Sequence, residues 1–172
     1  MPITNVFGQG DYSVTLHLGS EKSPVNLLLD SGSSTLVVKS TTYQATLDKE
    51  LTPSTAVQEV NYGVGGWNGP VIFTRINIHE HCHKSEHPQS IAKNPSMNLS
   101  NAPVALVHSV KQSKTFGDAD GILGLAYHHL NKSFDFSYYF TEYDVMPYFT
   151  LLEEQQLNVD KFAKQEKEHA GA

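Results

Sequence analysis

The chain has 172 residues, 39% of them hydrophobic and 17% charged, which suits one globular domain with a real core. A net charge of −6 and the absence of any Lys/Arg-rich run exclude a nucleic-acid or anionic-membrane surface as the main partner. No apolar leader opens the sequence, no run reaches membrane-span length, and the lone Cys82 has no internal disulfide partner, so a soluble, cytoplasmic protein is expected. In that compartment the Asn-X-Ser sequons at Asn98 and Asn131 carry little weight.

In chain order, the pattern reads as strands until the last quarter. "DYSVTLHLG" alternates Tyr12, Val14, Leu16 and Leu18 against polar neighbours. "SPVNLLLD" follows after a Gly-Ser-Glu-Lys turn, and "STLVVKS" continues beyond Asp30-Ser31-Gly32-Ser33-Ser34. "STAVQEVNYGVGGWNGPVIFTRINIHEH" has two alternating arms around a glycine-dense tip and reads as a long hairpin. Residues 83–101 are polar and read as a long loop or a pair of short irregular segments, "APVALVHSV" as a strand, and "ADGILGLAY" as a buried strand or turn ending at a sharp corner. Helical signal is confined to "MPYFTLLEEQQL", with Pro147 near the first turn and Phe149, Leu152 and Leu157 on one face. The tail "KQEKEHAGA" is polar, and neither a repeat nor a low-complexity segment occurs.

Asp30 stands out because two aliphatic blocks lead into and away from it. Burying an unpaired carboxylate is costly, so an ionisable group at the end of an apolar strand is a candidate for chemistry. An Asx-type turn between strands accounts for "DSGSS" taken alone. Three stretches together, "LLLDSGSS", "NYGVG" and "ADGILGLAY", resemble the N-terminal lobe of the pepsin-like aspartic peptidases, in that family's order and at about its spacing. The opening hairpin and "YFTLLEEQQLNVDKFA" look like their counterparts, so the resemblance spans 1–163 and leaves 164–172 as a tail. Without disulfide pairs or a propeptide, the chain looks more like the bacterial, pepsin-like branch.

The resemblance implies an all-β fold, mainly β with a short helix, forming a single lobe of the pepsin-like acid protease fold. It implies that Asp30 is one of two aspartates that share a proton and hold a water, one acting as base and the other as acid; carboxylates that close cannot both ionise. Ser31 keeps the hydroxyl of the family's commoner Thr, Gly32 permits close backbone approach, and Ser33 is placed to donate a hydrogen bond to the outer oxygen of Asp30. Tyr62 would shape the first specificity pocket, while Gly63, Val64 and Gly65 clamp an extended peptide substrate by strand-like pairing. Ile122, Leu123 and Gly124 would thread behind the Asp loop and support it. Neither a cofactor nor a metal is implied, and a pepstatin-type inhibitor is the expected ligand.

Two departures bear on the flap: Val37 stands where the family carries the Trp that bonds the flap Tyr, and Val64 replaces a position that often carries a hydroxyl. Trp67 is open to two readings: an indole donor from within the flap, or a solvent-facing aromatic. The run "HEHCHKSEH", from His79 to His87, offers a competing chemistry. On a strand His79, His81 and His83 face one side and Cys82 the other, a spacing that can ligate a transition metal, although an exposed polar face explains the same run. A serine-hydrolase reading lacks a G-x-S-x-G elbow. The sequence holds one D-[TS]-G where the mechanism needs two carboxylates. Activity therefore calls for a weak homodimer or for a C-terminal lobe outside this chain, the alternative being an inactive, peptide-binding lobe.

Overall fold

In the computed structural model, the structure describes residues 3–5, 12–61, 65–78, 97–110, 115–126, 133–135, 141–143 and 145–155. Eleven strands follow one another: β1 (Ile3–Asn5), β2 (Tyr12–Leu18), β3 (Ser23–Asp30), β4 (Leu36–Lys39), β5 (Thr52–Asn61), β6 (Gly66–Ile78), β7 (Met97–Val107), β8 (Ser109–Val110), β9 (Gly121–Gly124), β10 (Ser133–Asp135) and β11 (Thr141–Tyr143). A 3-10 turn spans Ala45–Leu47 and one helix, α1, spans 148–155. No helix among the described residues is long and apolar enough to cross a membrane.

Six strands close on themselves in the order β2-β3-β9-β4-β7-β6, with β6 returning to β2. The result is a small barrel-like sheet whose interior is filled by side chains. Alternation decides which ones. Val14, Leu16 and Leu18 of β2 meet Val25 and Leu27 of β3, with Leu36, Val38, Ile72, Ile76, Val104, Leu106 and Leu123 completing the core. The opposite faces of the same strands carry a second apolar row. Leu28 pairs with Ile122, Ile122 with Val37, Val37 with Ala105 and Ala105 with Val71, so one line of side chains crosses β3, β9, β4, β7 and β6. Trp67, Ala56, Val60, Val107 and Phe116 cover that row.

Three segments depart from the sequence reading. β7 begins at Met97, inside the stretch read as a loop: Leu99 and Ala102 are both buried because a bulge sets Ser100 and Asn101 against the single residue Arg75. Asn101 takes a left-handed φ of 54° there, which shifts the alternation by one residue. In α1 the deepest side chains are Tyr148 and Leu151, with Phe149 and Leu152 only partly buried against the core, so the buried stripe is rotated from the one expected. Leu157 lies outside the described residues, as do 164–172. Finally, β10 and β11 extend the sheet from the outer edge of β5, with Gln58 Nε2 donating to Ser133 Oγ at 2.7 Å.

Asp48 ties the turns at one end of the barrel. Its carboxylate accepts from the Tyr43 hydroxyl, the Thr74 hydroxyl and the Ser20 and Glu50 N–H groups. Burial alone raises its pKa, but the bonds from Thr74, Tyr43, Ser20 and Glu50 outweigh this and bring it from 3.8 down to about 2. A folded-state value below the unfolded one means that Asp48 contributes stability in full above about pH 4, and loses it as the pH falls towards 2. Asp48→Asn is therefore expected to lower stability by about 1–2 kcal/mol at pH 5, discounted for its partial exposure. Denaturant unfolding from pH 5 to pH 2 checks this: the gap between the two proteins closes as the pH falls, and a gap that widens contradicts the assignment.

Candidate active site

Asp30 is the last residue of β3 and is half-buried, while Ser31 and Gly32 beyond it are exposed. The chain then turns back through the buried Ser33, Ser34 and Thr35 into β4. The Gly32 N–H donates to Asp30 Oδ1 at 2.8 Å, an Asx-type contact that fixes the carboxylate over the turn. A Cβ on Gly32 would sit 3.2 Å from the same oxygen, so the glycine leaves room for this approach.

What holds the turn is β9, which lies between the two strands the turn connects. It runs parallel to β3, with Leu29 opposite Leu123 and Asp30 opposite Gly124, and antiparallel to β4, with Leu36 opposite Leu123. The segment that leaves β9 then supplies donors to the turn itself. Gly124 N–H bonds to Thr35 O at 3.0 Å, Leu125 N–H to Asp30 O at 2.8 Å and Ala126 N–H to Ser33 O at 2.9 Å. Backbone carbonyls that a buried loop would otherwise leave unpaired are thereby satisfied. Gly124 has no substitute there, because a Cβ would fall 2.5 Å from Thr35 N and 2.7 Å from Ser33 O.

Asp120 fixes where β9 enters. Its carboxylate accepts from Asn26 N–H and from Thr42 Oγ1, each at 2.9 Å, while its own N–H donates to Asn26 O and its carbonyl accepts from Lys39 N–H. Asp120 therefore bonds to residues of both flanking strands and to the loop after β4. The sequence places Asp120 in the supporting segment; the partners that give it this task are remote in sequence and invisible there.

One expectation is corrected and one open reading is narrowed. Ser33 makes no bond to Asp30: its Oγ is buried and has no hydrogen-bond partner among the described residues, while Gly32 serves the carboxylate. Of the two readings of Trp67 the solvent-facing one is excluded, since the side chain is fully buried in the cluster that contains Val37 and Ile122. Ile122 and Leu123 are buried on opposite faces of β9, one in each apolar cluster. Of the flap residues, Gly65 precedes β6 with a left-handed φ of 91°, whereas Tyr62, Gly63 and Val64 lie outside the described residues. His79, His81, Cys82, His83 and His87 also lie outside them, and among the described residues no group of three or more His, Cys, Asp or Glu is placed to hold a metal ion.

No protein-family model and no curated protein matches the chain. Among solved structures, an aspartic proteinase from Irpex lacteus is similar at a TM-score of 0.51 and 19% identity, over 66% of this chain and 28% of that one. The likeness is one of fold: this chain has the architecture of a pepsin-like single lobe, mostly β with one short helix, and spans well under half of the proteinase it matches.

The geometry makes two opposite demands on neighbouring residues. Gly124→Ala forces backbone apart and is expected to cost about 1–3 kcal/mol. Ser33→Ala removes a buried oxygen that lacks a partner and should leave stability unchanged or raise it by up to about 1 kcal/mol. Thermal unfolding of the two variants checks both, and a Ser33→Ala loss as large as that of Gly124→Ala contradicts the placement of the hydroxyl.

Proposed function

We propose that the chain is an aspartic endopeptidase lobe in which Asp30 is one carboxylate of a catalytic pair. The observation that carries this reading is the half-buried Asp30 at the apex between β3 and β4, with β9 threaded beneath it and its carboxylate held by Gly32 N–H. In such a pair the ionised carboxylate takes a proton from a water as the water attacks the scissile carbonyl. The protonated partner gives its proton to the carbonyl oxygen, so that a gem-diol forms; the carboxyl that took the water's proton then passes it to the amide nitrogen as the C–N bond breaks, and the partner recovers a proton from a gem-diol hydroxyl. Two carboxylates close together share a single proton, which suits them to opposite roles at acidic pH.

The second carboxylate comes from a second copy of this chain or from a C-terminal lobe outside it. In a twofold homodimer the same loop lies on both sides of the axis, so Asp30, Ser31 and Gly32 meet their own copies. Ser31 and Gly32 are exposed in the single chain, which leaves this face open to such a partner. The substrate is an extended peptide, bound by strand-like pairing with the hairpin of β5 and β6.

The reading is tested by peptide cleavage at acidic pH over a dilution series. Asp30→Asn should reduce pepstatin-sensitive cleavage by at least about a hundredfold, and a chelator should have no effect. Specific activity should fall as the protein dissociates on dilution. Cleavage that survives Asp30→Asn contradicts the proposal, whereas a dimer that cleaves nothing at any concentration points to a peptide-binding lobe without catalysis.

A further inference from the structure

We infer that Trp67 is a positioning residue, through which the hairpin of β5 and β6 is held in register with the strands that carry Asp30. The inference deepens the endopeptidase reading and rests on it for its functional consequence, but its structural content stands by itself. β6 pairs with β7 only from Val71 onwards. Upstream of that point, residues 66–70 and their partners 57–61 leave the barrel as a ribbon with only the short strands β8 and β10 beside them, and a sheet this narrow holds its shape only when an apolar face is packed against something. The ribbon needs something to rest on.

Three features supply it, and they converge on Trp67. At Gly69 the ribbon passes so close to β7 that a Cβ would lie 1.7 Å from Leu106 O, and the adjoining Asn68 carbonyl accepts from His108 N–H at 2.8 Å. One residue further out, Trp67 pairs with Val60 on one side and Val110 of β8 on the other. Its indole is fully buried, the largest such side chain described, and it belongs to the cluster formed by Val37 of β4 and Ile122 of β9, against which Leu28 of β3 also packs. These three are the outward-facing residues of the strands that frame the Asp30 turn. Trp67 shares each strand's apolar face with the ribbon, and so links the position of the hairpin to that of the carboxylate. An aromatic side chain suits the task, since it offers a large rigid contact area with only two side-chain torsions.

Hydrogen exchange of the full chain, without ligand, tests this in Trp67→Leu and Trp67→Phe. Trp67→Leu should speed exchange by tenfold or more both in the ribbon (56–61 and 66–70) and in the Asp30 turn (30–38), while β2 and α1 change by less than twofold. Trp67→Phe should restore most of the protection in both. Faster exchange confined to the ribbon, or a uniform rise over the whole chain, overturns the inference. Pepstatin binding separates the two layers. If the unaltered chain binds it, Trp67→Leu should weaken binding at least tenfold and Trp67→Phe much less, and equal binding by all three proteins overturns the positioning role. If the unaltered chain does not bind it, the homodimer form of the endopeptidase reading fails, and the paired change in exchange still decides the link between ribbon and turn.

Discussion

The fold depends on one insertion: a four-residue strand, Gly121–Gly124, threaded between the two strands that a tight turn joins. The turn that bears Asp30 would otherwise be a loose connection with its carbonyls buried and unpaired. With β9 in place, the N–H groups of residues 124–126 satisfy those carbonyls, and the apolar pair Ile122 and Leu123 anchors the strand in both clusters at once. The insertion is possible only because two positions carry no side chain. At Gly121 a Cβ would lie 1.9 Å from Val37 O, and at Gly124 it would collide with the turn. Ordinary packing thus creates a rigid platform on which one polar residue is left half-exposed.

The sheet around this platform has two apolar faces, and they serve different ends. The inner face closes the barrel, giving the stiffness that comes with a filled core. The outer face joins the platform to the hairpin of β5 and β6 through Val37, Ile122, Val71 and Trp67. Asp48 and Asp120, which hydrogen bonds tie to several segments, belong to this architecture: one gathers turns at an end of the barrel, the other fixes the entry of β9. Asp30 differs from both in its setting, since the one described donor to its carboxylate is the Gly32 N–H two residues away.

Much of this was legible in the sequence because the strands are marked by clear alternation and by turn residues. β2, β3 and the long hairpin read directly from Tyr12–Leu18, Ser23–Asp30 and the glycines after Asn61. The start of β7 did not, since the bulge at Ser100 and Asn101 breaks the period that reveals a strand. Nor did the parallel pairing of β3 with β9, whose partners lie about ninety residues apart; only the resemblance of "ADGILG" to a known supporting segment suggested it. Asp48 was hidden for the same reason, its donors being scattered over Ser20, Tyr43 and Thr74. Trp67 shows the limit most plainly: its place on a strand was readable, but what covers that face depends on the closed sheet. The Ser33 hydroxyl failed differently, since the resemblance supplied a bond that this turn does not form.

The central claim is that one chain supplies one carboxylate to a shared site. The stoichiometry of pepstatin binding, measured by titration calorimetry at acidic pH and at high protein concentration, tests it most directly. One inhibitor per two chains is the predicted result, with none bound by Asp30→Asn. One inhibitor per chain, or binding that is indifferent to Asp30, would contradict the account.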